Sequence, residues 1–136
     1  MQNMSGGKTA LGLDTGIGVL ICYFGNLACG LPLGLIYCIL VVVQDQTNKV
    51  ARFHAFQSLF LAVASIVIMI PLGIVYGISF AVDVAIGFPL FIALTGIGVL
   101  VFSLAILYFV IMAAIKGYGG EMYKIPVIGN FAEKYA

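Results

Sequence analysis

Residues 56–80 (FQSLFLAVASIVIMIPLGIVYGISF) and 87–114 (GFPLFIALTGIGVLVFSLAILYFVIMAA) hold no charged side chain over 25 and 28 consecutive positions. A helix rises about 1.5 Å per residue, so roughly 20 apolar residues cross the ~30 Å hydrocarbon layer of a bilayer. Each run is long enough. In lipid every backbone N–H and C=O needs a partner within the protein, and a helix supplies one inside a single segment. Both runs are expected as transmembrane helices, and the fold class as all-α. The linker AVDVAI, residues 81–86, is so short that the two helices must be antiparallel neighbours.

The third apolar run, residues 16–43, is interrupted by Gly25-Asn26 and by Gly30-Leu31-Pro32. Proline removes a helix donor and the amide of Asn26 sits near mid-run. Either one kinked span or two half-length helices in a re-entrant hairpin fits, and the kinked span is preferred. The expectation is a polytopic helical membrane protein of three to four transmembrane helices plus a short carboxyl-terminal interfacial helix. It forms a single integral membrane domain, 1–136, with a polar tail at 1–15. That tail, MQNMSGGKTALGLDT, lacks the apolar core and cleavage site of a signal peptide.

Composition agrees, with 63% hydrophobic and 8% charged residues where soluble domains have about a quarter charged. A net charge of +1 gives no case for a nucleic-acid partner. Lys49 and Arg52 precede the 56–80 run, Lys116, Lys124 and Lys134 follow the 87–114 run, and the linker around Asp83 has no cation. An antiparallel pair puts both basic segments on one face. By the positive-inside rule the 44–55 loop and the C-terminus are cytoplasmic in a multi-pass protein of the cell (inner or plasma) membrane.

Helices in lipid associate through close backbone approach and interhelical hydrogen bonds. Gly73 and Gly77 form a GxxxG pair, and Gly96, Gly98 and Ser103 thin the next helix. Packing within one protomer is preferred to a dimerisation face, and self-association is left open. Pro71 is expected to kink its helix. Cys22, Cys29 and Cys38 match no zinc or haem spacing and are expected as buried packing residues.

At 100° per residue, His54, Gln57, Ser58, Ser65 and Tyr76 share one side of the helix that covers 56–80. An unpaired buried polar group costs a few kcal/mol, so this stripe must face other helices or water. The preferred reading is that His54 and Gln57 tie the helix to the carboxyl-terminal segment at the membrane boundary. A wet groove for a translocating polypeptide and an axial pigment ligand at His54 are the alternatives. In KGYGGEMYKIPVIGNFAEKYA, residues 116–136, glycines stop the preceding helix. Val127, Phe131 and Tyr135 then recur every four residues, with Asn130 and Glu133 spaced as a capping pair. This predicts an interfacial helix with Lys124 and Lys134 at anionic lipid.

RFHAFQSLFL and YKIPVIGNFAEK together resemble the Tic-twenty-like family of small membrane proteins, related to a chloroplast inner-envelope translocon subunit. Arg52, Phe53, His54, Ala55 and Gln57 carry the first motif, and Tyr123, Pro126, Gly129 and Ala132 the second, over residues 15–136. The resemblance implies a helical membrane fold, drawn with four spans in plastid relatives, and offers no catalytic residue. The residues themselves show no paired carboxylates, activated nucleophile, phosphate loop or metal set, so neither an enzyme nor a cofactor is expected. The expected partners are membrane lipids and other integral membrane proteins. The expected function is a small accessory subunit of a larger respiratory, photosynthetic or transport complex, with a translocation or insertion helper as the alternative.

Overall fold

The structure, a computed structural model, describes residues 7–29 and 33–136, with the side chains of 26–29 outside the description. Five helices follow in order among the described residues: α1 (Thr15–Cys29), α2 (Leu33–Gln44), α3 (Lys49–Ile86), α4 (Leu90–Tyr118) and α5 (Ile128–Tyr135). The chain divides into two units, 1–62 with 109–136, and 63–108. α3 and α4 contribute residues to both.

In the first unit, polar side chains fix the helix starts. Asn48 Oδ1 accepts the Ala51 N–H at 3.1 Å and caps α3, while Asp45 Oδ1 accepts the Asn48 N–H at 3.1 Å. Such caps satisfy donors that the first turn leaves open. α4 ends in a Schellman turn. Gly120 takes a φ of 81°, its N–H reaches the Gly117 carbonyl at 3.0 Å, and the Glu121 N–H reaches the Lys116 carbonyl at 3.0 Å.

α1 and α2 fold back on each other. A Cβ on Gly25 would stand 2.9 Å from the Gly34 Cα, and one on Gly18 would meet the Tyr37 hydroxyl. These pairings run in opposite directions along the two helices, so the contact is antiparallel. Residues 16–43 thus form a two-helix hairpin and not the single kinked helix preferred from sequence. Asn26 and Gly30-Leu31-Pro32, on which that reading turned, fall outside what is described in side chain or altogether. Two cores hold the unit together. Val19, Tyr23, Ala113, Ala114 and Ile125 join α1, α4 and the carboxyl-terminal segment, and Cys22, Cys38, Val41, Ala51 and Ala55 join α1, α2 and α3. Gly117 sits where three helices meet, since a Cβ there would lie 2.5 Å from Val19 Cγ1 and 2.7 Å from His54 Nε2.

In the second unit, Asp83 in the last turn of α3 accepts the Phe91 and Ile92 N–H groups at 2.9 and 2.7 Å. It thereby caps α4 across the turn at Gly87, whose φ is 70°. The AVDVAI segment is helical, because Asp83 serves the next helix without leaving its own. α3 is likewise continuous through Pro71. The apolar side chains from Ile66 to Ile70 are exposed, as are Ile97, Leu100 and Val101. Among the described residues, nothing beyond the helix's own adjacent backbone stands within 4 Å of a Cβ built on Gly73, Gly77, Gly96 or Gly98. The close approach expected of Gly73 and Gly77 within one protomer is not made.

Only α3 and α4, of 38 and 29 residues, are long and apolar enough among the described helices to cross a membrane. α1 with 15 residues and α2 with 12 reach about 22 and 18 Å, short of the ~30 Å hydrocarbon layer. Two candidate spans therefore stand where three to four were expected.

Candidate functional site

α5 and the strand of chain before it are held to α3 by one buried side-chain network. Glu121 offers a carbonyl, which can only accept, so His54 Nε2 donates to it, at 2.9 Å. His54 Nδ1 must then accept, and the Tyr23 hydroxyl donates to it at 3.1 Å. The same hydroxyl accepts from Gln57 Nε2 at 2.8 Å. The second Gln57 N–H goes to the Tyr123 carbonyl at 3.1 Å, and Gln57 Oε1 accepts the Ile125 N–H at 3.1 Å. The bonding assigns His54 as the neutral tautomer protonated at Nε2. His54 and Gln57 are both 0% exposed, yet every polar atom in the network is satisfied, which removes the burial penalty. Both ring nitrogens are occupied, so His54 has no lone pair free for a pigment.

The rings of Phe53 and Tyr23 meet the His54 ring edge-on, at centroid distances of 5.1 and 5.8 Å. Gly129 lets the carboxyl-terminal backbone come this close, since a Cβ there would lie 2.6 Å from the Lys124 Cα and 3.0 Å from Gln57 Oε1. Pro126 contributes its carbonyl, which accepts the Ile128 N–H at 2.8 Å as α5 begins. Ser58 donates to the Cys22 carbonyl at 2.8 Å and ties α3 to α1.

A second set of bonds gathers three segments at one end of this unit. Arg52 donates from one amino group to the Val42 and Asp45 carbonyls and to Gln46 Oε1, at 3.3, 3.2 and 2.9 Å, and from the other to the Tyr135 carbonyl at 3.4 Å. It closes the exposed carbonyl end of α2 and meets the end of α5, as a cation at a helix C-terminus should. The Tyr135 ring packs near Phe56 and Phe60 at 6.2 and 6.0 Å. Asp45 Oδ2 accepts the Ala10 N–H at 3.0 Å, and Asn48 Nδ2 donates to Thr15 Oγ1 at 2.6 Å. The 7–15 segment, the 45–48 connection with the first turn of α3, and the carboxyl end of α5 therefore share one surface.

Of the residues predicted from sequence, Arg52, His54, Gln57, Ser58, Pro126 and Gly129 are brought together. Ser65 and Tyr76 belong to the second unit, so the polar stripe is divided. Lys124 pairs with Glu133 at 2.7 Å and Lys116 with Glu121 at 3.0 Å. These exposed pairs contribute little. Nor do Asn130 and Glu133 cap α5. The helix starts at Ile128 after Val127, whose φ is 69°, and has no side-chain cap. Its buried face is Gly129 and Ala132, and Val127 and Phe131 point outward, as an interfacial helix requires. Sequence reasoning missed Tyr23, Asp45, Asn48 and Thr15. Asn48 ahead of an apolar run is an ordinary N-cap signal, whereas Tyr23 is a lone hydroxyl in a run of apolar residues and gives none.

These features define a small all-helical membrane protein, with two long apolar helices and a buried polar network that anchors its carboxyl-terminal segment. The model of the magnetosome magnetite crystal formation protein family matches residues 11–132, and the chain belongs to that family. Two UPF0132 membrane proteins of Methanocaldococcus jannaschii are similar to it. One is 32% identical over 131 residues, covering 96% of each chain, and the other is 30% identical over 128 residues, covering 93% of this chain and 73% of the relative. No solved structure matches. The resemblance to the Tic-twenty-like family is overturned by these matches, none of which leads to that family. Its motif residues Arg52, His54, Gln57 and Gly129 hold this chain's own tail in place. That is a packing role which any fold closing a tail onto a helix end can require.

Proposed function

We propose that the chain is a non-enzymatic integral membrane protein that works by association, as a small accessory subunit packed against other integral membrane proteins. The observation that carries this is the contrast between the two units. In the first, the polar side chains of the network are spent on one another and on the backbone, which leaves them fully engaged in holding the fold. In the second, a largely apolar surface carries Gly73, Gly77, Gly96 and Gly98, whose open sides no other described residue approaches within 4 Å. In lipid such positions favour close packing against another helix. The family is described by magnetite crystal formation and the two archaeal relatives are named only as membrane proteins. A membrane-embedded accessory role is compatible with both.

In this reading α3 and α4 cross the cell membrane and the α1–α2 hairpin enters without crossing. The surface shared by the 7–15, 44–55 and 116–136 segments faces the cytoplasm, where its cations favour anionic lipid. A translocation groove has less support, because His54, Gln57 and Ser58, three residues of its expected polar lining, are buried with their bonds made.

Purification in mild detergent tests the proposal. A fixed stoichiometric membrane partner is expected with the natural chain and is lost from a Gly73→Leu/Gly77→Leu variant whose first unit keeps its hydrogen-exchange protection. Purification without a partner, or capture of many exported chains by crosslinkers placed at Ser58 and Ser65, overturns it.

A further inference from the structure

Two thiols that the proposed function does not use lie together in the hairpin core. Cys22 on α1 and Cys38 on α2 are both unbridged and buried, 2% and 0% exposed, in one cluster with Val41, Ala51 and Ala55. Both side chains pack into the same buried cluster between α1, α2 and α3. The backbone explains why. α1 and α2 touch at Gly25 and Gly34, where a Cβ on the first would lie 2.9 Å from the Cα of the second. One turn away along each helix, on the same faces, stand residues 22 and 38, three and four positions from the crossing. Glycine at the crossing brings the helix axes close, and the residue pair one turn to one side of it is Cys22 and Cys38. Disulfides need Cα atoms within about 4.4–6.8 Å of each other, a separation that helices in backbone contact reach on their facing sides.

We propose that Cys22 and Cys38 form a redox modification site, a dithiol that a neutral, membrane-permeant two-electron hydrogen acceptor of the quinone or azo class closes into a disulfide stapling α1 to α2. Both S–H bonds break and one S–S bond forms. The two protons and two electrons leave together on the acceptor, which becomes a hydroquinone or a hydrazine. No net charge stays behind, which suits a core packed with Val41, Ala51 and Ala55. A soft metal ion held by the same sulfurs would need both as thiolates, at a steep desolvation cost with no third donor at hand among the described residues. A disulfide here fixes the hairpin against the α3 residues Ala51 and Ala55, in the unit that also carries the polar network. The inference does not depend on which partner the second unit meets.

The test uses the full chain in mild-detergent micelles, treated with the azo oxidant diamide, then denatured and alkylated with N-ethylmaleimide. Three cysteines are present. One maleimide per chain is the expected result, with non-reducing peptide mapping joining the peptides that contain residues 22 and 38. Dithiothreitol restores all three additions, and a Cys29→Ser variant forms the same link. The oxidised chain is expected to exchange α1 and α2 amides more slowly by on the order of tenfold or more. Three maleimide additions after diamide, a link that includes Cys29, or unchanged exchange in a chain shown to be linked would each overturn the proposal.

Discussion

Replacing Gln57 by leucine removes the centre of the network at nearly constant volume. The side chain makes three hydrogen bonds, to the Tyr23 hydroxyl and the Tyr123 carbonyl as donor and from the Ile125 N–H as acceptor, at 2.8, 3.1 and 3.1 Å. Each is worth about 1 kcal/mol net, and a buried backbone group left without a partner costs a further 1–3 kcal/mol or so. Two of the three partners are backbone groups of the 121–125 segment. When that segment detaches in the variant it regains water instead of losing bonds, so the cost falls on the closed state. The free energy of local opening should drop by about 3–5 kcal/mol, and at the lower figure that is roughly a 150-fold change in equilibrium. Amide hydrogen exchange in detergent micelles reads this directly when reclosing is fast. Protection across residues 121–129 should fall by about that factor, while amides in the middle of α4 keep their natural rates. A change of less than about threefold in 121–129 would refute the reasoning, because the tail would then be held by the apolar contacts of Ile125 and Tyr135 and not by the amide.

The glycines give opposite expectations in the two units. Gly117→Ala puts a methyl group 2.5 Å from Val19 Cγ1 and 2.7 Å from His54 Nε2, so a loss of about 1–3 kcal/mol is expected, seen as a lower Tm in detergent. Gly73→Ala meets nothing within 4 Å and should leave the Tm of the isolated chain unchanged or raise it, by up to about 1 kcal/mol of helix propensity. Asp83→Ala removes the cap on α4 and is expected to cost about 1–2 kcal/mol, with faster exchange at the Phe91 and Ile92 amides. Asp83→Asn keeps an acceptor and should recover part of it. Arg52→Leu and His54→Leu should each speed trypsin cleavage within 116–136, and unchanged accessibility in both would contradict the tie between the loop and the tail.

The long helices were legible from sequence because lipid imposes one solution on a long uncharged run, and the residues that tie the tail down were legible because polar side chains beside such a run must find partners. What escaped depends on pairing across distance. Tyr23 lies 31 residues from His54 and 34 from Gln57, and nothing in its apolar surroundings marks it as their partner. The stripe from His54 to Tyr76 is one line on a helical wheel, yet the helix serves two units, and periodicity carries no sign of where one gives way to the other. The α1–α2 hairpin is not legible as such, because composition shows that a run is interrupted but not that Gly25 meets Gly34. The extra helical residues at 81–86 were missed because Asp83 was read as a linker charge, when its carboxylate serves as the cap of the next helix.

The same division bears on what the protein can do. A network in which His54, Tyr23 and Gln57 each have their bonding filled fixes one arrangement, because any shift leaves a buried polar group unpaired at a cost of a few kcal/mol. An apolar helix surface with open glycines has no such preference and can accept lipid or another helix at little cost. Rigidity and openness are thus assigned to different parts of α3 and α4. A protein built this way holds the start of α3 and its carboxyl-terminal segment in a set position, which is what the proposed accessory role would ask of it.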